Sequence, residues 1–168
     1  MIIVFRAPAL TQSGYGVHSR MFLRFLKEIY PSDKHTVILQ ATPWGQTPFI
    51  LRDFPEKEIA DEYIKNSAKV NLAETKPDLS FQLILPNEWD PNLANKNVGI
   101  TAAVETDRLN PKWVEFCNNM DLVLVPSSHV KRSFENSGLL TTPLEVLHEI
   151  YDERIYNAEK EIKDVLKR

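Results

Sequence analysis

Residues 97–138, NVGITAAVETDRLNPKWVEFCNNMDLVLVPSSHVKRSFENSG, decide the fold, because they predict a strand, an acidic turn, a helix, a strand and a second helix in succession. The first strand, 97–104, is a run of small and β-branched residues without polar alternation, which is typical of a strand buried on both faces. The turn after this strand holds Glu105, Asp107 and Arg108. Ligands of open parallel sheets bind at the carboxyl ends of the strands, so a functional site is first expected at this turn.

The rest of the chain continues the same alternation of strand and helix. Further strands are predicted at 2–5, 36–40, 78–85, 121–127 and 143–149, and helices at 17–30, 56–67, from 111 onward, 128–138 and 157–168. Apolar strands joined by helices indicate right-handed βαβ units. The predicted fold class is therefore α/β, with a doubly wound, mainly parallel sheet and helices on both faces.

Local signals define where the helices begin and which side they bury. Asn110 is a predicted N-cap with Pro111 at the first helical position, Ser127 or Ser128 is predicted to cap the next helix, and Gly138 to end it. In the helix 17–30 the predicted core-facing residues are Val17, Met21, Phe22, Phe25, Leu26 and Ile29. In the helix 56–67 they are Ile59, Tyr63 and Ile64.

Composition excludes several classes of protein. The 168 residues carry a net charge of −3 without a basic block, which argues against a nucleic-acid-binding surface. No apolar run approaches the roughly 18 residues of a membrane span, and the chain starts in a strand rather than a signal peptide. The single cysteine, Cys117, cannot form an intramolecular disulfide. These features lead us to expect a cytoplasmic protein.

The first candidate for ligand binding is the loop Gly14, Tyr15 and Gly16, between the first strand and the first helix. Free backbone N–H groups and the helix dipole favour an anion such as a phosphate at this position. The dinucleotide fingerprint would place a third glycine at Ser19 and an acid at Gln40, so the sequence argues against NAD. The alternative is a flexible turn with no ligand.

The second candidate is the pair Glu105 and Asp107, whose side chains would point to the same side of an extended chain. Two carboxylates could hold a divalent cation with a substrate phosphate, supply a catalytic base, or accept hydrogen bonds from sugar hydroxyls. The alternative is that Asp107 caps a turn while Glu105 pairs with Arg108.

Other residues give weaker signals. Trp89 comes after another strand and could stack on a sugar or cover the core. His129 lies in the first turn of a helix and is a candidate ligand contact, although none of the four histidines shows metal-binding spacing. Cys117 shares a helix face with Trp113 and Met120 and is predicted to be a core residue.

Four stretches together resemble a known family: APALTQSGYGVHSR (7–20), LPNEWDP (85–91), residues 99–138 and PLEVLHE (143–149). They are similar to the N-terminal domain of GT-B glycosyltransferases, especially the retaining, nucleotide-sugar-dependent group found in phage and bacteria. The resemblance covers about residues 1–157 and implies a Rossmann-like half that holds the acceptor. A C-terminal segment, 158–168, would lead to a donor-binding domain or subunit.

The resemblance also implies roles for particular residues. Gly14, Tyr15 and Gly16 would approach the donor phosphates, Glu105 and Asp107 are the candidate catalytic residues, and no metal ligand is predicted. The expected substrate-binding residues are Trp89, Thr106, Arg108, Ser127, Ser128, His129 and Glu149. Ile150 and Tyr151 replace the glycine that usually comes after the family's acidic residue.

The implied activity is transfer of a hexose from a nucleotide-sugar donor to an acceptor hydroxyl, without a tightly bound cofactor or an obligatory metal. The acceptor is a glycan, a protein or a small molecule, and this half alone is expected to be inactive. An interdomain face would be apolar, so dimerisation or a partner is expected. The alternatives are a non-catalytic glycan- or protein-binding module and, less favoured, a flavodoxin-like nucleotide binder.

Overall fold

The computed structural model describes residues 1–103 and 106–151. In this part of the chain six parallel strands form one sheet, in the order β2-β1-β3-β4-β5-β6. The strands are β1 (Ile2–Ala7), β2 (Thr36–Ala41), β3 (Leu79–Leu83), β4 (Lys96–Ile100), β5 (Leu122–Val125) and β6 (Leu144–Val146). The helices are α1 (Gly14–Ile29), α2 (Lys57–Lys65), α3 (Pro111–Cys117) and α4 (Ser128–Glu135). The predicted fold class is confirmed.

Helices cover both faces of the sheet. β5 shows this directly: Val123 and Val125 belong to the core under α3 and α4, whereas Leu122 and Leu124 pack against the core under α1 and α2. Successive residues of a strand point to opposite faces, so an uninterrupted apolar strand is what a two-sided sheet requires. None of the described helices has the length and apolar character needed to cross a lipid bilayer.

Helix α1 begins three residues earlier than the sequence predicted, because Ser13 caps it. The Ser13 side chain accepts a hydrogen bond from the Gly16 N–H at 2.9 Å, so both glycines lie in the first turn of the helix. The core-facing side also differs from the prediction. Val17 and Ile29 are each 51% exposed, although Phe22 and Leu26 are buried as expected. Positions four residues apart drift about 40° around a helix, so a run of three such steps leaves the core face.

Helices α3 and α4 begin where their capping residues predict. Asn110 Oδ1 accepts from the Lys112 N–H at 3.0 Å, ahead of Pro111. Ser127 Oγ accepts from the Val130 N–H at 3.2 Å. The predicted core position of Cys117 is also confirmed: its thiol is fully buried, and burial raises its pKa to about 12.

Two predicted elements differ from the structure, and a third is untested. The second helix is shorter than 56–67, and Ile64 lies partly exposed while Tyr63 is fully buried. The last strand covers only residues 144–146, although the Leu147 N–H still donates to the Val125 carbonyl at 2.9 Å. The predicted helix 157–168 and the domain boundary at residue 157 lie outside the described residues.

Trp89 is part of the core rather than a surface residue. It is 8% exposed, and its indole N–H donates to the Gln82 carbonyl at 3.0 Å. Its ring covers Gly99 on β4 so closely that a Cβ at Gly99 would lie 2.6 Å from the ring. Of the two roles considered for Trp89, the structure shows the one that covers the core.

We predict that Gly99→Ala lowers the free energy of unfolding by about 1–3 kcal/mol, because the added methyl group forces the Trp89 ring to move. Urea unfolding monitored by tryptophan fluorescence measures the change. Gly138→Ala is the matched control, since its Cβ would meet Val114 at an ordinary 3.4 Å. Equal stability of the two variants would show that the ring moves without cost.

Candidate functional site

The candidate site lies at the carboxyl edge of the sheet, where β1 and β3 end. The strand order places β2 on one side of β1 and β4 on the far side of β3, so the connections leaving β1 and β3 diverge. In open α/β sheets this switch in direction opens a crevice in which ligands bind. The N-terminus of α1 lies at the same edge, since only six residues separate β1 from the helix.

The two glycines of the first turn have different surroundings. A Cβ on Gly16 would lie 2.3 Å from the Thr11 carbonyl oxygen, so Gly16 allows the turn to close. A Cβ on Gly14 would meet nothing within 4 Å. Within the described residues, no acceptor meets the N–H groups of Gly14 and Tyr15, whereas the Gly16 N–H is bound to Ser13. Two N–H groups at the positive end of a helix are therefore unused by the described residues, and one of them belongs to the exposed Gly14.

The Tyr15 side chain connects α1 to the end of β4. Its hydroxyl accepts from the Ala102 N–H at 3.0 Å and lies 3.0 Å from Thr101 Oγ1. Its ring stacks on Trp44, with the centroids 4.1 Å apart. Burial raises the pKa of the Tyr15 phenol. The Tyr15 side chain thus brings the glycine turn beside the strand end that leads into the acidic turn.

The acidic turn is only partly described, and Glu105 lies outside the described residues. Ala103 enters it in the left-handed region, with φ at 57°. The Thr106 carbonyl accepts from Ser133 Oγ at 2.9 Å, which ties the turn to α4. Asp107 and Arg108 are exposed. The spatial relation of Glu105 and Asp107 therefore stays a prediction.

The segment after β6 runs along the same edge and reaches α1. The His148 ring lies within hydrogen-bond distance of the Pro126 carbonyl, and Glu149 Oε1 lies 3.2 Å from His18 Nδ1. Burial lowers the pKa of His18, against the smaller opposing effect of the Glu149 carboxylate. Glu149 is thus held near the N-terminus of α1, whereas Ser128 and His129 lie exposed at the start of α4.

A cleft of about 920 Å³ lies beside α1, between the helix, the loop after β2 and the segment 149–151. Arg20 lines it and stabilises the loop before α1, because its Nη1 donates to the Ala9 and Thr11 carbonyls at 2.9 and 3.0 Å. Among the residues that the structure describes, no group of three or more His, Cys, Asp or Glu side chains could hold a metal ion.

No protein-family model matches the chain, and a search of curated proteins finds no match. The resemblance to GT-B glycosyltransferases therefore stays a prediction. The geometry of the carboxyl edge is the basis from which a function of the chain can be inferred.

Sequence reasoning missed three residues of this edge: His18, Trp44 and Thr101. Trp44 stands between a proline and a glycine in an exposed loop, and an aromatic residue in such a loop is a signal that could have been used. Thr101 and His18 gave no signal, because their partners lie 86 and 131 positions away along the sequence, at Tyr15 and Glu149.

We predict that Gly16→Ala lowers the free energy of unfolding by about 1–3 kcal/mol, because the new Cβ would overlap the Thr11 carbonyl. Gly14→Ala, in open space, should retain wild-type stability within about 0.5 kcal/mol. Chemical unfolding monitored by circular dichroism compares the two variants. A cost shared by both would contradict the difference in packing between the two glycines.

We also predict that acidification destabilises the protein through His18. Burial lowers the pKa of His18 in the folded protein, so the unfolded chain binds the proton first as the pH falls below about 6.5, and the free energy of unfolding decreases. His18→Gln should reduce this slope between about pH 5 and 7. Urea unfolding at several pH values tests it, with exposed His129→Gln as the control. An unchanged slope in the His18 variant would disprove the assignment.

Proposed function

We propose that this chain is the acceptor-side half of a glycosyltransferase that moves a sugar from a nucleotide-sugar to an acceptor hydroxyl. The observation that carries the proposal is the N-terminus of α1, where no acceptor in the described residues meets the N–H groups of Gly14 and Tyr15 and where Gly14 is exposed. Such a helix end binds phosphate through hydrogen bonds and the helix dipole. It lies at the crevice where open parallel sheets bind ligands.

The proposed reaction uses the two sides of this edge differently. The N–H groups of Gly14 and Tyr15 would stabilise the charge that develops on the departing nucleoside diphosphate, as preorganised dipoles do. Thr106, Asp107 and Arg108 are exposed on the other side, close to the strand end that Tyr15 holds, and would face the acceptor. Asp107 and Glu105 remain the proposed catalytic carboxylates. Trp89 is not proposed as a ligand contact, because its ring is packed against Gly99.

A second Rossmann-like half is part of the proposal. One wall rarely buries most of a ligand, so donor binding by this half alone is expected to be weak. Closure of the other half over the edge would exclude water from the reacting groups. The exposed apolar side chains of Val17, Phe49 and Ile150 are compatible with such a partner.

A non-catalytic nucleotide-binding module is the second candidate, and the strand order favours it. The order β2-β1-β3-β4-β5 is that of flavodoxin-like proteins, which bind their nucleotide at the switch between β1 and β3. However, the hydroxyls of Thr11 and Ser13 bond each other at 2.8 Å and so are not free to surround a phosphate. Both candidates place an anion at the same edge, and transfer of a sugar distinguishes them.

We predict that UDP-glucose or GDP-mannose shifts the amide resonances of Gly14 and Tyr15 at millimolar concentration, with or without Mn²⁺. Gly14→Pro should weaken this binding severalfold, because proline removes one N–H but is tolerated at the first helical position. Gly14→Ala, which retains the N–H, is the matched control. Two-dimensional ¹H–¹⁵N spectra provide the measurement.

Two results would contradict the phosphate role. One is equal binding by the proline and alanine variants of Gly14. The other is binding that requires Mn²⁺ and shifts Asp107 rather than Gly14, which would favour the alternative in which the acidic turn holds a metal.

A further inference from the structure

A second, smaller cleft lies at the carboxyl ends of the central strands, on the other side of the sheet from α1. It measures about 310 Å³ and is lined by Arg6, Thr42, Pro43, Ile84 and Glu88. Arg6 is the penultimate residue of β1, Thr42 comes directly after β2 and Ile84 directly after β3. The cleft is therefore built by the strands on either side of the switch in direction.

Arg6 gives this cleft a positive charge with which no carboxylate of the described residues forms an ion pair. Its neighbour Phe5 belongs to the core under α1, so the Arg6 side chain leaves the opposite face of β1. Arg6 is half-buried, yet within the described residues its guanidinium has neither an ion-pair partner nor a hydrogen-bond acceptor. Arg20 shows the contrast, since two carbonyls accept from it. A guanidinium presents five N–H donors, and here none of them is used by the described chain.

Two further polar side chains in the walls, Thr42 and Glu88, also lack a protein partner among residues 1–103 and 106–151. The hydroxyl of Thr42 is shielded from solvent and has no hydrogen-bond partner in the described residues. Rotation about its Cα–Cβ bond would turn it, since three staggered positions are available. Glu88 is exposed on the opposite wall, and its carboxylate forms no ion pair with Arg6. The amide of nearby Gln82, by contrast, is satisfied by Ser80 and Asp90.

We propose that this cleft binds a small hydroxylated compound through an anionic group, with Arg6 holding the anion and Glu88 accepting from the hydroxyls. Arginine binds carboxylates and phosphates through two parallel hydrogen bonds. These charge-assisted bonds are stronger than hydrogen bonds between neutral groups, so an anion is the ligand that best suits the Arg6 guanidinium. The volume of this cleft is near the lower end of the range for ligand pockets, and it is large enough for one sugar ring.

The identification of this compound as the acceptor rests on the proposed function. The cleft lies close to the N-terminus of α1, because Pro43 in its wall directly precedes Trp44, whose ring stacks on Tyr15 with the centroids 4.1 Å apart. An acceptor anchored by its anionic group in this cleft would lie beside the donor. The proposal thus narrows the acceptor from any hydroxyl compound to a sugar acid or a sugar phosphate.

The test is a titration of the chain with four probes: glucuronate, glucose 6-phosphate, inorganic phosphate and glucose. We expect glucuronate and glucose 6-phosphate to shift the amides of Thr42 and Glu88, and glucose to bind at least about tenfold more weakly. If glucuronate binds more tightly than glucose 6-phosphate, the natural anion is a carboxylate, and in the reverse case it is a phosphate. Arg6→Gln should weaken both by about tenfold or more, while exposed Arg132→Gln on α4 should not.

Thermal unfolding of Arg6→Gln is measured first, and we expect it to match wild type because no described contact is lost. Glu88→Gln is a second variant, at an exposed position, so the proposal can be tested even if Arg6→Gln does not fold. It should weaken the two sugar probes but not inorganic phosphate. Wild-type affinity for glucuronate and glucose 6-phosphate in a folded Arg6→Gln, or equal binding of glucose and glucuronate, would overturn the proposal.

Parallel titration with UDP-glucose separates this proposal from the proposed function. If UDP-glucose shifts Gly14 while no sugar anion shifts Thr42 or Glu88, the cleft assignment is wrong and the transferase proposal stands. If sugar anions bind in the cleft and UDP-glucose leaves Gly14 unchanged, the cleft assignment holds and its link to a donor fails.

Discussion

The hydrogen bonds of the Tyr15 hydroxyl are the constraint on which the carboxyl edge depends. They join the first turn of α1 to Thr101 and Ala102, two strands away across the sheet. Without this bridge the helix end and the acidic turn would be separate loops on either side of the crevice. With it, the free N–H groups of α1 have a fixed position relative to the end of β4. The ring of Trp44 closes the other side of the phenol.

The close approach of Gly16 to Thr11 supports that bridge. A Cβ at Gly16 would overlap the Thr11 carbonyl oxygen, so the first turn of α1, which carries Tyr15, depends on a glycine at this position. The Ser13 cap and Arg20, which binds the Ala9 and Thr11 carbonyls, hold the same loop from two sides. The loop before α1 is therefore rigid for structural reasons, and this rigidity would also serve to fix an anion.

Much of the fold could be predicted from sequence, because its signals are local. Asn110 with Pro111, and Ser127, mark the helix starts through contacts two or three residues away. The apolar strands indicated a two-sided sheet for the same reason. The inward face of α1 was predicted less well: Val17 and Ile29 are apolar but exposed, and Arg20 is charged but buried. Burial of Arg20 depends on carbonyls brought together only by the tertiary fold.

The site was predictable only in its location. Gly14 and the acidic turn were indicated because each comes after a strand. No neighbouring residue in the sequence indicated that Tyr15 bonds to the end of β4 or that His18 contacts Glu149. Trp89 shows the opposite case, in which a sequence signal suggested a ligand contact that the structure does not favour. An aromatic residue in a polar turn is typical of a sugar-stacking site, but the Trp89 ring packs against Gly99 in the core. Arg6 gave no sequence signal because a single charge at a strand end is common. Its significance is that no acceptor in the described part of the chain meets its guanidinium.

The burial of Cys117 has a practical consequence for work in solution. Its thiol is buried and, with a pKa of about 12, is almost wholly protonated at neutral pH. Alkylating reagents should therefore not modify it. The chain thus behaves chemically as though it had no cysteine. A single cysteine introduced at the rim of either cleft would be the one reactive thiol, and a spin or fluorescent label attached there would report motions of the edge without any change to the native core.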